Sequence, residues 1–361
     1  MLQILNGTEA LASALEKVAC HRYMLVCDGA FPYLPIKEFF NTDVVFNQFG
    51  SNPLYEDVVK GVEMFNANHC DALVAVGGGS TIDVAKCIKL FCRMNPAENY
   101  FAQDFADSGV PLVAIPTTAG TGSESTRYAV VYYRGEKQSI THGSLIPDYA
   151  ILDSSLLATL PLYQKKCTML DALCQGIESL WSVNSTAESM SYAKLAIEGI
   201  MYNWRAYIEH NDATAARHIM TAANHAGQAI NISQTTAPHA MSYKLSSLYG
   251  VPHGHAVALC LPEVWLYMLE NADNTIDPRG QQHLEEVFEQ LGQLMMCDSP
   301  HQGPMMFRSI MSQFDLPKVK CVDFESELDT LVHSVNPVRL KNNPVPLDEN
   351  IFAHIYKNIL Q

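Results

Sequence analysis

Several common features are missing from this chain of 361 residues, and each absence excludes a class of protein. The ten cysteines form no Cys-x-x-Cys pair and follow no regular spacing, so we expect free thiols in a reducing compartment. No apolar run reaches the ~18 residues of a membrane span, and the N-terminus lacks the basic and apolar regions of a signal peptide. We therefore expect a cytoplasmic protein that does not cross a membrane.

Positive charge is also scarce. The formal net charge is −15, and the sequence contains no block of lysine or arginine. This balance disfavours nucleic acid and anionic membrane surfaces as partners. Hydrophobic residues make up 48% of the chain and charged residues 17%, which is typical of a compact enzyme and not of a disordered chain. The length predicts two domains.

The first predicted domain, residues 1–158, alternates short apolar runs with helical patterns. Buried strands are predicted at 23–27, 72–76 and 112–115, and a helix at 55–68. This alternation predicts an α/β domain with a parallel sheet and right-handed crossovers. Residues 128–133 and 138–141 flank Arg134-Gly135-Glu136, which predicts a hairpin insert.

The second domain, residues 159–361, is predicted to be all-helical. Polar, glycine or proline breaks separate segments with helical spacing of apolar residues. The predicted helices are 170–181, 187–210, 213–230, 237–248, 256–270, 283–295 and 304–313. The fold class predicted from both halves is therefore an α/β domain followed by an all-α domain.

Two turns rich in small residues follow predicted strands of the first domain. Gly77-Gly78-Gly79-Ser80 ends the strand at 72–76 and opens a helix at 81–93, and Thr117 to Glu124 follow the next strand. Glycines let the backbone approach a diphosphate, and free amides at a helix N-terminus attract anions. The GxGxxG fingerprint is absent, and each turn alone could be a tight connection. Since both lie at strand ends where ligands bind in open parallel sheets, together they predict a nucleotide site.

Candidate metal ligands lie in the second domain. Asp171 and Gln175 are four residues apart, which places them on one face of a helix. His239 and His253 lie in the stretch 235–257. A carboxylate, two imidazoles and an amide oxygen would suit a divalent first-row metal. The alternative is that Asp171 caps a turn and the histidines are structural.

Four motifs in combination resemble the iron-containing alcohol dehydrogenase family: GGGSTIDVAK (77–86), PTTAGTGSE (116–124), DALCQGIES (171–179) and HAMSYKLSSLYGVPHGHAV (239–257). The resemblance is collinear from about residue 20 to 270. It implies a dehydroquinate-synthase-like fold with a dinucleotide-binding α/β domain and a helical domain. It also implies hydride transfer between NAD(P)H and a small aldehyde or ketone, with a divalent metal, iron(II) first and zinc as the alternative. We further expect a homodimer or a larger homo-oligomer.

The resemblance also implies cofactor contacts at individual positions, which are Asp28, Gly78, Gly79, Ser80, Asp83, Thr117, Thr118 and Lys137. Asp28 matches a residue beside the adenosine ribose, where a carboxylate would repel a 2′-phosphate and favour NAD over NADP. Each acidic or basic residue has an ordinary alternative: a turn for Asp28, the helix dipole for Asp83 and an exposed hairpin position for Lys137.

The same comparison implies that Asp171, His239 and His253 are metal ligands, with two departures from the family pattern. Gln175 replaces a fourth ligand histidine, so we expect a weak fourth ligand or a close neighbour of the ion. Tyr243 replaces a histidine implicated in proton relay, four residues after His239. Its phenol could donate a proton or order a water, or it could be a packed aromatic residue.

The stretch 239–257 further resembles the phosphonoacetaldehyde reductases, which reduce phosphonoacetaldehyde to 2-hydroxyethylphosphonate. A phosphonate needs a cation, and Arg127 is the better candidate. Lys244 is the weaker one, because it lies about 140° around a helix from His239 and could form a surface salt bridge. Other functions stay open: a general alcohol or polyol-phosphate dehydrogenase, a dehydroquinate-synthase-like lyase, or a cofactor-binding protein without catalysis.

Overall fold

The computed structural model of the chain describes residues 2–360, apart from the side chains of residues 338 and 339. The chain forms two compact units, Met1–Leu160 and Pro161–Gln361. The boundary predicted from the sequence, after residue 158, lies close to this division. The first unit is α/β and the second is helical, which confirms the predicted fold class.

The first unit is built on a parallel sheet. Its strands are β1 (Gln3–Asn6), β2 (Tyr23–Cys27), β3 (Val45–Phe46), β4 (Ala72–Gly77), β5 (Leu112–Pro116) and β8 (Tyr149–Leu152). They are ordered β1-β8-β5-β4-β2-β3, and every neighbouring pair is parallel. The predicted strands β2, β4 and β5 are confirmed. Strands β1, β3 and β8 were not predicted. Neither β1 nor β3 is a run of buried apolar residues, whereas β8 is a buried apolar run of only four residues.

The central strands are apolar throughout because helices cover both faces of the sheet. Along β4, Leu73 and Ala75 pack into one core cluster, whereas Val74 and Val76 pack into the cluster on the opposite face. Helices α2 (Tyr55–Ala67) and α3 (Gly79–Phe91) supply the first cluster, and α1 (Leu11–Lys17) supplies part of the second. The carboxyl ends of β2, β4 and β5 therefore lie side by side.

A two-stranded antiparallel hairpin, β6 (Tyr128–Tyr133) and β7 (Glu136–Thr141), follows β5. Its turn residues Arg134 and Gly135 both have positive φ, at 52° and 79°. A two-residue turn with positive φ at both positions matches the twist of the flanking strands. The predicted hairpin insert is confirmed.

The second unit is an assembly of helices: α4 (Leu162–Trp181), α5 (Ala187–His210), α6 (Ala213–Ser233), α7 (Ala237–Tyr249), α8 (His253–Glu270), α9 (Gln281–Leu294), α10 (Gln302–Phe314), α11 (Phe324–His333), α12 (Pro337–Leu340) and α13 (Glu349–Leu360). The predicted helices of this unit correspond to α4 to α10. Helices α11 to α13 were not predicted individually.

The start of α4 differs from its prediction. The helix begins directly after Pro161, whereas the sequence placed its start at residue 170. Polar residues mask the apolar pattern of this first part of the helix. Lys165 is nevertheless buried, because its ammonium group hydrogen-bonds to the Asn211 side chain and lies 5.2 Å from the centroid of the Tyr207 ring.

Two general expectations can be compared with the structure. All ten cysteines are free thiols. Among the helices of residues 2–360, none has both the length and the apolar character needed to cross a lipid bilayer.

Candidate active site

One face of α4 carries three buried polar side chains. Asp171, Gln175 and Glu178 occupy positions i, i+4 and i+7, which align along a helix. Asp171 and Gln175 are each 3% exposed, and Glu178 is fully buried. Buried polar groups are costly unless they have partners, so this face is built for polar contacts inside the unit.

His239 and His253 meet this face from two further helices. His239 lies in the first turn of α7, and His253 is the first residue of α8. The Asp171 Oδ1 atom lies 3.3 Å from His239 Nε2 and 4.0 Å from His253 Nε2. The two imidazole rings are 5.3 Å apart between centroids. Ligand atoms of the three residues all lie within 4.8 Å of one another, a spacing that a single metal ion can span.

Gly254 explains how His253 comes so close to α4. A Cβ atom at this position would lie 2.0 Å from the Cys167 carbonyl oxygen and 2.8 Å from the Asp171 Cβ atom. Glycine therefore lets the first turn of α8 pack directly against α4. The Pro-His-Gly-His sequence places the predicted ligand His253 directly before the residue that makes this contact.

The buried atoms of this cluster fit a metal ion. Within the described part of the chain, Asp171 Oδ1 and His239 Nε2 have no hydrogen-bond partner, although both are buried. Burial alone would lower the pKa of His239, but the carboxylates of Glu178 and Asp171 outweigh it and raise the pKa to about 9. The pocket thus stabilises positive charge. One carboxylate oxygen and two imidazole nitrogens form a donor set suited to iron(II) or zinc.

Gln175 lies one helical turn after Asp171 and is buried beside it. Burial raises the pKa of Asp171, but the neighbouring His239, His253 and Gln175 side chains lower it overall. Gln175 is therefore a neighbour of the predicted ligand Asp171. Its ligation of a metal stays a prediction.

Glu178 was not identified from the sequence. Its carboxylate hydrogen-bonds to His239 Nδ1, the ring nitrogen opposite the one that faces Asp171. The available signal was its position seven residues after Asp171, since the helical spacing that joined Asp171 to Gln175 also includes Glu178.

Tyr243 is half-buried on α7, and its ring stacks on His253. The ring centroids are 5.6 Å apart, and the planes differ by 2°. This contact brings the phenol to the ligand cluster, as expected from the helix face that Tyr243 shares with His239. Lys244 follows it and is also half-buried. The proton role of Tyr243 and the substrate role of Lys244 stay predictions.

In the first unit, the two small-residue turns lie against each other. A Cβ atom on Gly79 would lie 2.8 Å from the Thr121 side chain, and one on Gly78 would lie 3.5 Å from Thr118. The Thr117 amide donates to the Gly77 carbonyl at 3.0 Å. The strand ends of β4 and β5 thus present both turns together, with Gly78 as the N-cap of α3.

Asp28 lies next to these turns, directly after β2. One carboxylate oxygen accepts from the Ala30 amide at 2.9 Å, and the other accepts from Thr81 Oγ1 at 3.3 Å. A Cβ atom on Gly77 would lie 2.9 Å from the second oxygen. Asp28 is therefore both a turn residue and a neighbour of the glycine-rich turn. Ser80 is tied to this region through a hydrogen bond from its hydroxyl to the Ser51 carbonyl.

Asp83 holds the hairpin to α3. Its two oxygens accept from Ser123 Oγ at 2.6 Å and from the Val130 amide at 3.0 Å. These bonds favour an anchoring role for Asp83. Its contact with the cofactor stays a prediction. Burial raises the pKa of Asp83 overall, against the opposing charge of Lys86 and, to a smaller extent, that of Lys137 on β7.

Arg127 lies between the second turn and β6. Its guanidinium carbon is 5.9 Å from the centroid of the Tyr128 ring, and its carbonyl accepts from the His142 amide at 3.1 Å. The side chain is half-buried. These contacts position the residue without testing its predicted role towards a phosphonate.

Comparisons with known proteins agree with this description. Residues 3–154 match the family described as iron-containing alcohol dehydrogenase, and residues 166–315 match the C-terminal family of the Fe-containing alcohol dehydrogenases. The chain therefore belongs to the iron-containing alcohol dehydrogenase family. It is an alcohol dehydrogenase and aldehyde reductase that depends on a nicotinamide cofactor and a metal.

Three relatives are informative. The chain is 30% identical to phosphonoacetaldehyde reductase from Streptomyces viridochromogenes over 316 residues, covering 83% of this chain and 79% of that protein. It is 25% identical to the 1-propanol dehydrogenase of Salmonella typhimurium, covering 99% and 98%. The crystal structure of sulfoacetaldehyde reductase from Bifidobacterium kashiwanohense in complex with NAD+ shares its fold, with a TM-score of 0.86 at 24% identity, covering 100% and 97%.

Proposed function

We propose that the protein reduces a small anionic aldehyde with NADH, and that phosphonoacetaldehyde, reduced to 2-hydroxyethylphosphonate, is its substrate. The observation that supports the reaction is the cluster of Asp171, His239 and His253 donor atoms within 4.8 Å of one another. The similarity to a phosphonoacetaldehyde reductase supports the substrate. The free thiols and the absence of an apolar run of spanning length in the sequence support a cytoplasmic location.

The second unit would hold the metal through Asp171, His239 and His253. When bound, a divalent ion supplies a Lewis acid for the carbonyl oxygen of the aldehyde. The carboxylate of Asp171 offsets part of the ion's charge, and the buried position of His239 keeps water away from that side. Tyr243, stacked on His253, is the candidate to donate a proton or to order a water that does so.

The first unit would hold the dinucleotide, which supplies the hydride. Gly78, Gly79 and Ser80 would bind the diphosphate through the amides at the start of α3, and Thr117 and Thr118 would line the neighbouring turn. Asp28 would accept from the adenosine ribose hydroxyls and disfavour a 2′-phosphate. This arrangement is the basis for proposing NAD over NADP.

Arg127 is the proposed partner of the anionic group. A guanidinium can bind two phosphonate oxygens at once, and binding energy away from the carbonyl helps to orient it for reaction. Arg127 would bind a sulfonate in the same way, and sulfoacetaldehyde, for which the reductase of similar fold is named, carries that group.

A second candidate function is the oxidation and reduction of neutral alcohols and aldehydes. It is favoured by the similarity to a 1-propanol dehydrogenase over nearly the full length of both chains. A polyol or polyol-phosphate substrate also stays compatible with the metal cluster. A cofactor-binding protein without catalysis is disfavoured, because the three predicted ligands converge.

The test is NADH oxidation by the metal-loaded protein with phosphonoacetaldehyde, sulfoacetaldehyde and propanal. We expect the highest kcat/KM on phosphonoacetaldehyde. A charge-assisted hydrogen bond is worth about 1.5–3 kcal/mol, so Arg127→Ala should lower kcat/KM on the anionic aldehydes by roughly 10- to 150-fold.

Propanal is the internal control, because it lacks the anionic group and Arg127→Ala should change its turnover little. Equal losses on all three aldehydes would make Arg127 structural. A wild type that prefers propanal would contradict the anionic substrate and leave the general dehydrogenase function.

A further inference from the structure

The buried carboxylate of Glu178 lies at one nitrogen of the His239 ring, and Asp171 lies at the other. Glu178 Oε1 hydrogen-bonds to His239 Nδ1, and Asp171 Oδ1 is 3.3 Å from His239 Nε2. The Glu178 side chain is fully buried. His239 is thus held between two carboxylates from the same helix, one of which has no assigned role.

The second oxygen of Glu178 is fixed by Thr236, the N-cap residue of α7. Glu178 Oε2 accepts from the Thr236 amide at 2.7 Å and from its hydroxyl at 2.9 Å. The Thr236 hydroxyl has a single proton, so its oxygen is free to accept from Trp181 Nε1 at 2.8 Å. Trp181 is buried and packs edge-on against Trp265. Each member of this chain of hydrogen bonds therefore has a defined donor or acceptor role.

These roles determine which nitrogen of His239 carries the proton. A backbone amide is always a donor, so the Glu178 group that faces Thr236 must be an acceptor. When Glu178 is ionised, its other oxygen, Oε1, is also an acceptor, and the His239 proton then lies on Nδ1. In the neutral imidazole, which is the form that binds a metal, Nε2 is left with a lone pair, and Nε2 is the nitrogen that faces Asp171.

We propose that Glu178 is a positioning residue of the metal site, which holds the His239 proton on Nδ1 and so directs the Nε2 lone pair towards the ion. This inference depends on the proposed ligand set Asp171, His239 and His253. With neutral histidines, the charges of Asp171 and Glu178 together offset the two positive charges of a divalent ion in a buried site. Thr236 and Trp181 keep the carboxylate in place.

Glu178→Gln tests the proposal, because the amide is almost the same size as the carboxylate. The Thr236 amide still needs an acceptor, so the glutamine oxygen would face Thr236 and its NH2 group would face His239 Nδ1. That arrangement moves the imidazole proton to Nε2 and blocks the ligand atom. Loss of the hydrogen-bond partner of a metal-bound histidine typically lowers metal affinity 10- to 100-fold. We therefore expect cobalt(II) to bind Glu178→Gln about 10- to 100-fold more weakly than the wild type.

Affinity is measured on the full-length, metal-stripped protein by competition for cobalt(II) with a chelator of known affinity, and the cobalt absorption bands report ligand geometry. The matched control is Asp277→Asn, which makes the same change at a buried carboxylate of this unit that pairs with Arg279. It should lower stability and leave cobalt affinity unchanged. Equal cobalt affinity in the Glu178→Gln and Asp277→Asn proteins would overturn the proposal.

Thr236→Val and Thr236→Ser provide a second test, which applies even if Glu178→Gln does not fold. Valine keeps the backbone amide but removes the hydroxyl that donates to Glu178 and accepts from Trp181. We expect valine to lower cobalt affinity by roughly 3- to 10-fold, less than the loss of a direct partner, because Thr236 contacts His239 only through Glu178. Serine keeps the hydroxyl and should keep near wild-type affinity. Equal affinities in these two proteins would also contradict the proposal.

His253→Ala separates this inference from the proposed function. If His253→Ala leaves cobalt affinity unchanged, the ligand set is wrong, and the proposed metal-dependent reaction fails with it. If His253→Ala loses cobalt and Glu178→Gln does not, Glu178 has no positioning role and the proposed function stands.

Discussion

At the scale of single residues, His239 is the predicted ligand with the most charged neighbours. Its imidazole is buried between Asp171 and Glu178, which together raise its pKa to about 9 despite the opposing effect of burial. A pocket that favours an imidazolium ion also favours a metal ion, since both bring positive charge to the same carboxylates. We therefore expect the neighbours of His239 to determine how tightly the proposed site holds a metal.

Gln175 is the neighbour whose replacement should strengthen the site. In Gln175→His, a stronger donor would occupy the buried position one turn after Asp171, so iron(II) or zinc should be lost more slowly to a chelator. The measurement is the half-time of metal loss at fixed chelator concentration. Gln164→His, an exposed change on the same helix, is the control. A Gln175→His protein that loses metal as fast as this control would show that residue 175 does not face the ion.

Asp28 should determine the preference between the two nicotinamide cofactors. Asp28→Asn keeps an oxygen for the Ala30 amide but removes the charge that would repel a 2′-phosphate. The ratio of kcat/KM for NADH to that for NADPH should fall roughly tenfold, as expected for a partly solvated charge pair.

Asp107→Asn is the matched control for Asp28, because Asp107 accepts from a backbone amide two residues on in the same way. Asp107 precedes β5 and so lies near the amino end of that strand, whereas the two turns lie at the carboxyl ends of β4 and β5. A wild type that already prefers NADPH would refute the role given to Asp28.

At the scale of secondary-structure elements, the contact between α4 and the start of α8 places His253. Gly254→Ala would put a methyl group into the Cys167 carbonyl and the Asp171 side chain, so the helices must separate. We expect a loss of about 1–3 kcal/mol in the free energy of unfolding and weaker metal binding, because His253 moves with the helix. Denaturant unfolding and chelator competition measure the two effects.

The control for this substitution is Gly143→Ala, since a Cβ atom there meets open space and the backbone is not left-handed. It should change neither stability nor metal affinity. If Gly254→Ala matches this control, the close packing of the two helices does not position His253.

Element types were largely predictable from the sequence, whereas several contacts were not. The apolar strands β2, β4 and β5 and the helical spacing of α5 were evident because local periodicity alone defines them. Glu178 was missed because its contacts are with Thr236 and His239, which lie far away in the sequence. Lys86 lies in a recognised motif, yet its burial and its bonds to the Thr126 and Tyr128 carbonyls depend on the hairpin.

At the scale of the whole molecule, the two units are proposed to carry different parts of the reaction. The first presents paired turns at the carboxyl ends of parallel strands, and the second presents three predicted metal ligands from α4, α7 and α8. The chain is acidic overall, with a net charge of −15, so an anionic substrate would require local positive charge. The metal and Arg127 are the groups proposed to provide it.

The central claim is that Asp171, His239 and His253 hold a divalent ion on which turnover depends, and His253→Ala tests it most directly. Metal content and NADH oxidation are measured together, with His255→Ala as the control because His255 instead contacts Tyr163 through Nδ1 at 2.9 Å. We predict that His253→Ala lowers metal affinity more than about 100-fold and lowers turnover in parallel. This loss exceeds the roughly 10- to 100-fold that removal of a ligand's hydrogen-bond partner causes. Full metal occupancy with wild-type turnover in His253→Ala would contradict the account.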